Sequence, residues 1–171
     1  MNGAIAHLAA LLTDRGISAD GATLSASMLG GSILAGRLTV GWVLDRFFGA
    51  RVAFVVFLIT AGGILLLARA DTLFMGSLGA ALIGVGAGGE ADIAPYLLTR
   101  YFGLHAFSTL YGFTWTFYAI AGALGPVILG RAYDSTGSYT SLLTLLALAL
   151  AMAGALMLLL PCYTRPEQIA P

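Results

Sequence analysis

Residues 73–98, LFMGSLGAALIGVGAGGEADIAPYLL, decide how this chain is read. The run is apolar and long enough to cross a bilayer, which takes ~17–25 helical residues, yet it carries Glu90 and Asp92. A charge in hydrocarbon costs at least ~2.5–3.5 kcal/mol, so a chain keeps one only where a partner, a wet cavity or a bound solute compensates. On either side lie four more such stretches, at 22–44, 52–68, 106–130 and 140–160, and the first of them encloses Arg37. The turns between them, 45–51, 69–72, 99–105 and 131–139, are short and polar. Connections this short make sequential helices antiparallel neighbours. The runs lack the period-two alternation of a membrane barrel. An all-α, polytopic membrane helical bundle across residues 22–161 is therefore expected, with the lipid bilayer as its main partner.

Composition agrees. Hydrophobic residues make up 59% of the chain and charged ones 9%, against roughly 25% charged in an ordinary globular domain. Mean hydropathy is +0.93. The net charge is zero and there is no lysine, so no basic patch for nucleic acid exists. Cys162 is the single cysteine, which excludes a disulfide within the chain and a cysteine metal cluster. No nucleophile–base pair, phosphate loop or metal-ligand spacing appears, so neither an enzyme nor a cofactor is expected. Residues 1–13 are apolar but short. With no basic residue before Arg15 they make a poor signal peptide and read as the end of a truncated membrane helix. Pro161 stops the last span, and residues 162–171 form a polar tail.

The spans fall into two chemical types. Residues 52–68 and 140–160 hold no ionisable group, as lipid-facing helices should. The other three carry the charges together with Ser25, Ser27, Ser32, Thr39, Tyr96, Thr114, Trp115, Thr116 and Tyr118. Such side chains either line a wet cavity or bond to their own helix backbones. A pattern also repeats: Gly36-x4-Gly41-x3-Asp45 recurs as Gly125-x4-Gly130-x3-Asp134, displaced by the same 89 residues. The copies close helices three apart, so they end on opposite membrane faces. Inverted repeats of three helices are a construction principle of secondary transporters.

The segment 36–51, GRLTVGWVLDRFFGAR, resembles the loop signature of the major facilitator superfamily: a glycine, then Asp-Arg, then a glycine and a basic residue. Residues 84–89, Arg100-Tyr101-Phe102-Gly103, Leu110-Tyr111-Gly112 and the stretch from Gly125-Pro126 to Tyr139 resemble the C-terminal half of bacterial members. The branch of oxalate/formate antiporters and monocarboxylate porters is the nearest. The resemblance implies that the chain is half of a twelve-helix fold, with a three-plus-three inverted repeat, a truncated first helix and a further N-terminal six-helix half as partner. It also implies a bacterial inner membrane and a cytoplasmic C-terminus. Arginines divide four to three in favour of that orientation, Arg46, Arg51, Arg100 and Arg165 against Arg15, Arg69 and Arg131. In the family the loop signature is a gate, which would assign Gly41, Asp45, Arg46, Gly49 and Arg51 to a latch. The residue-level alternative is an ordinary charged turn.

The buried charges share one layer. At 1.5 Å per residue Arg37 lies ~12 Å from Asp45, Asp92 ~12 Å from Arg100 and Glu90 ~15 Å from Arg100. That places all three near the middle of a ~30 Å core. Glu90 and Asp92 are two residues apart and so point ~200° from each other; they do not make a dyad. Arg37 is the candidate anion binder, with Tyr96, Trp115 and Tyr118 as further substrate-binding candidates. Glu90 or Asp92 would carry a coupled proton. Monocarboxylate porters also place an arginine four residues before a glycine, as Arg37 stands to Gly41, although Leu38 replaces their usual proline. The alternative is a permanent structural pair between Arg37 and one acid. The function expected is secondary transport of a small organic anion, a mono- or dicarboxylate, by proton coupling or exchange. The alternatives are transport of a sugar, drug or other metabolite, or a non-transporting fragment.

Overall fold

The computed structural model describes Ile5 and residues 7–163, so parts of the 1–13 and 162–171 readings fall outside the described residues. The fold is an all-helical membrane bundle. A short α1 (Leu8–Thr13) precedes α2 (Ala19–Arg46), α3 (Gly49–Ala68), α4 (Leu73–Phe102), α5 (Phe107–Thr136) and α6 (Thr140–Met157). The last five are long and apolar enough to cross a membrane.

Their ends follow from local chemistry. Ser18 caps α2 by accepting from the Gly21 N–H, and Thr72 caps α4 by accepting from that of Met75. Gly137 ends α5 at φ +67, a left-handed turn that suits a residue without a Cβ. α4 and α5 each run for 30 residues, ~45 Å of helix against a ~30 Å core. They therefore continue through Arg100 and Arg131, residues whose polarity alone suggests turns.

Packing is organised by α4. Gly36 of α2 meets the backbone of Val85, and Gly84 and Gly88 of α4 meet the backbone of α2 at Leu29, Ile33 and Arg37. On the other side of α4, Gly63 and Gly79 bring α3 and α4 together backbone to backbone. In membranes, where apolar side chains gain little by leaving lipid, small residues at such crossings are a main source of helix association. α6 leans on α3, with Gly154 against Phe57. α3 is half-buried although its residues 52–68 carry no charge, whereas α5 is almost bare. Charge content predicted the reverse; the glycines of α3 decide its position instead.

Two faces result. On one, Gly49 at the start of α3 meets Tyr96 near the end of α4 and Tyr163 just past α6. On the other, Arg15, the end of α3 and Thr140 at the start of α6 are hydrogen-bonded, and Tyr133 of α5 stacks on Tyr139. Asp45 and Asp134, which close the two glycine patterns, thus stand on opposite faces.

Candidate functional site

The α2–α4 crossing brings together Arg37, Gly41 and Asp92. Arg37 Nε lies 3.4 Å from Asp92 Oδ1. The other carboxylate oxygen, Oδ2, rests 4.0 Å from where a Cβ on Gly41 would stand. One helical turn separates Arg37 from Gly41, so the Asp92 carboxylate lies beside both, in ordinary contact distance of the Gly41 position. Asp92 is largely covered, but 62% of the Arg37 side chain is exposed. Only Nε faces Asp92. Among the described residues the terminal guanidinium nitrogens keep donors available for a second carboxylate, which a planar fork can bind through two parallel hydrogen bonds.

Glu90 turns to a different seam. Together with Ala87, Ala91 and Ala94 it lines a cleft of about 90 Å³ whose opposite wall is Tyr111, Thr114, Trp115 and Tyr118 of α5. Both walls follow helical spacing, and the α5 wall continues an aromatic ladder. Phe107 stacks on Tyr111 at 5.2 Å, Tyr111 meets Trp115 edge-on at 6.2 Å, and Trp115 meets Tyr118 edge-on at 5.2 Å. Pro95 lies inside α4 and has no N–H to return to the carbonyl of Ala91. The cleft therefore offers a carboxyl beside a backbone acceptor that lacks its helical donor.

Four of the other polar residues of these spans are bonded within their own helices. Ser27, Thr39, Thr114 and Thr116 donate to the carbonyls of Thr23, Ala35, Leu110 and Gly112. Ser25 donates to Gly21 and so receives the proton of buried Ser77 at 2.9 Å, which ties α2 to α4.

Tyr96 stands apart from Trp115 and Tyr118. It belongs to the Asp45 face, where Arg100 lies over its ring at 5.1 Å and Tyr163 meets it edge-on at 6.4 Å. On the same face Asp45 is exposed, and Arg46 turns back to donate to the Trp42 carbonyl, its guanidinium 3.8 Å above the Trp42 ring. The free N–H at the start of α3 goes elsewhere. Gly49 donates to the Tyr163 hydroxyl at 2.9 Å, and Tyr163 also stacks on Phe48 and meets Tyr101 edge-on. Gly49 packs tightly here, because a Cβ would come within about 3 Å of the side-chain ends of Leu97, Tyr96 and Tyr163.

Two contributors were missed in the sequence. Tyr163 is a lone aromatic just past Pro161, and that position was its only signal. Arg15 donates to the carbonyls of Leu67 and Ala68 and to Thr140 Oγ1, so it closes the end of α3. Nothing local marks it.

With this geometry in view, one relative is informative. The chain is similar to monocarboxylate transporter 12 of Homo sapiens, 27% identical over 146 residues that cover 83% of this chain and 28% of that protein. The chain thus spans little more than a quarter of its relative's length. No protein-family profile matches it. Five long apolar helices and this relative together describe an integral, multi-pass membrane protein.

Proposed function

We propose that the chain is part of a secondary transporter for a small organic anion, a mono- or dicarboxylate. The observation that carries this reading is the Arg37–Asp92 pair within two membrane-length helices, half open to the outside of the α2–α4 crossing. An incoming carboxylate binds the free terminal nitrogens of Arg37 and competes with Asp92 for the guanidinium. Glu90, held in the neighbouring cleft without an ion pair among the described residues, takes up the coupled proton. Trp115 and Tyr118 wall the apolar part of the substrate. The Asp45 face, with Gly41, Asp45, Arg46, Gly49 and Arg51, opens and closes access from one side. The bare face of α5 packs against the second half that the major facilitator resemblance implies. The name of the relative supports the substrate class.

The same pair favours a second reading, in which Arg37 and Asp92 are a permanent structural lock. Substitution of Arg37 separates the two. Arg37→Lys keeps the charge and loses the fork. Under the transport reading it lowers the affinity for carboxylate about tenfold or more while the protein inserts and folds normally. Under the structural reading Lys substitutes, and Arg37→Ala destabilises the protein by leaving the largely covered Asp92 without its partner. Carboxylate uptake with unchanged affinity in the Lys variant removes Arg37 from the substrate site.

A further inference from the structure

α2 and α3 are joined by a turn of two residues, Phe47 and Phe48, yet they diverge, because each leans on α4 through its own glycines, Gly36 at Val85 and Gly63 at Gly79. Between them opens a groove of about 430 Å³ with Val85 of α4 in its lining. Its walls include Val43 of α2, Phe47 of the turn and Val52, Val55 and Ile59 of α3, all apolar. One cation stands in it, Arg51, at the end next to the turn. Arg51 is exposed and has no ion pair among the described residues. From Arg51 to Ile59 the groove runs ~12 Å along α3, close to the ~15 Å that one leaflet contributes to a ~30 Å hydrocarbon core. Asp45, the acid nearest to Arg51 in sequence, is two positions past Val43 and points ~200° away from it around α2.

We propose that this groove seats one anionic phospholipid, with an acyl chain between α2 and α3 and the headgroup phosphate on the Arg51 guanidinium. The length matches a single leaflet, the lining matches a hydrocarbon tail, and the charge sits at the interfacial end, where basic residues between membrane helices hold acidic headgroups. The site is separate from Arg37 and Glu90 and does not depend on the transport reading.

Native mass spectrometry of the purified protein, released from vesicles of equal parts phosphatidylglycerol and phosphatidylcholine, tests it. The expected result is one retained lipid per chain, with phosphatidylglycerol favoured about fivefold, the effect of one basic residue at a membrane surface. Arg51→Gln should abolish that preference, Arg51→Lys should keep it, and Val55→Trp should fill the groove and expel both lipids. Val55 and Arg51 are exposed, so these changes leave the core intact, and circular dichroism verifies the helix content. Equal retention of the two lipids overturns the proposal, as does a preference that survives Arg51→Gln or retention in Val55→Trp. A lipid-free pair of chains assigns the groove to a second copy and also overturns it.

Discussion

A Cβ on Gly41 would stand 4.0 Å from Asp92 Oδ2, an ordinary contact that alanine would keep. Gly36 is tighter, because it meets backbone. A Cβ there would stand 2.5 Å from the Val85 carbonyl oxygen, with no flexible side chain to move aside. Gly36→Ala should therefore force α2 from α4 and cost about 1–3 kcal/mol, as overpacking does. Gly62→Ala is the control, because nothing lies within 4 Å of its Cβ, and alanine should leave stability unchanged or raise it by up to about 1 kcal/mol. Thermal unfolding in detergent reads both. At this scale the sequence was informative about direction and silent about register. Spacing alone showed that Glu90 and Asp92 point apart. That Asp92 is the one facing Arg37 depends on how α2 slides along α4, which is set by glycine contacts between residues about fifty apart.

Elements are held at their ends by residues far away in the chain. Arg15 supplies side-chain donors to the last carbonyls of α3, those of Leu67 and Ala68, and it reaches Thr140 at the start of α6. Arg15→Ala should cost about 1.5–3 kcal/mol, the range for hydrogen bonds to a charged group. It should also speed hydrogen exchange at the end of α3 and the start of α6. Tyr163 acts at the other end of α3, whose N-cap Phe48 has no capping side chain. Burial, followed by the hydrogen bond with Tyr96, pushes the Tyr163 phenol up to about 12, from an ordinary ~10. A folded value above the unfolded one means that the contribution is complete below pH ~10 and is lost as pH rises through the folded value. The Tyr163–Tyr96 hydrogen bond and the docked ring should therefore persist up to about pH 10 and be lost as the phenol ionises toward about 12. Ultraviolet titration of the phenolate reads that step by difference from Tyr163→Phe. The Gly49 N–H, which donates to the Tyr163 oxygen, opposes that loss. Apolar run lengths made the spans legible, but their ends ran past the runs because polar residues continue a helix once it leaves hydrocarbon. The long-range staples left no local trace.

At the level of the whole molecule, α4 is the axis, with α2 on one side, α3 and α6 on the other, and α5 along the Glu90 cleft. Two membrane-depth sites result, the Arg37–Asp92 pair in one seam and Glu90 with its aromatic wall in the next. Under the proposed reading, an anion on Arg37 and a proton on Glu90 enter together and leave the net charge of this layer unchanged. The bare length of α5, with Phe113, Phe117, Ile120 and Leu124 in the open, is the surface through which the proposed second half would complete the path. The central claim is that this layer moves carboxylates, and uptake measures it directly. Proteoliposomes carrying the protein, with an inwardly directed proton gradient, are given a radiolabelled small monocarboxylate against excess unlabelled carboxylate or excess neutral sugar. The account predicts gradient-driven accumulation that unlabelled carboxylate abolishes, sugar leaves intact and Glu90→Gln uncouples from pH. Uptake suppressed equally by the neutral sugar, or a proton gradient without effect in the unmodified protein, would contradict it.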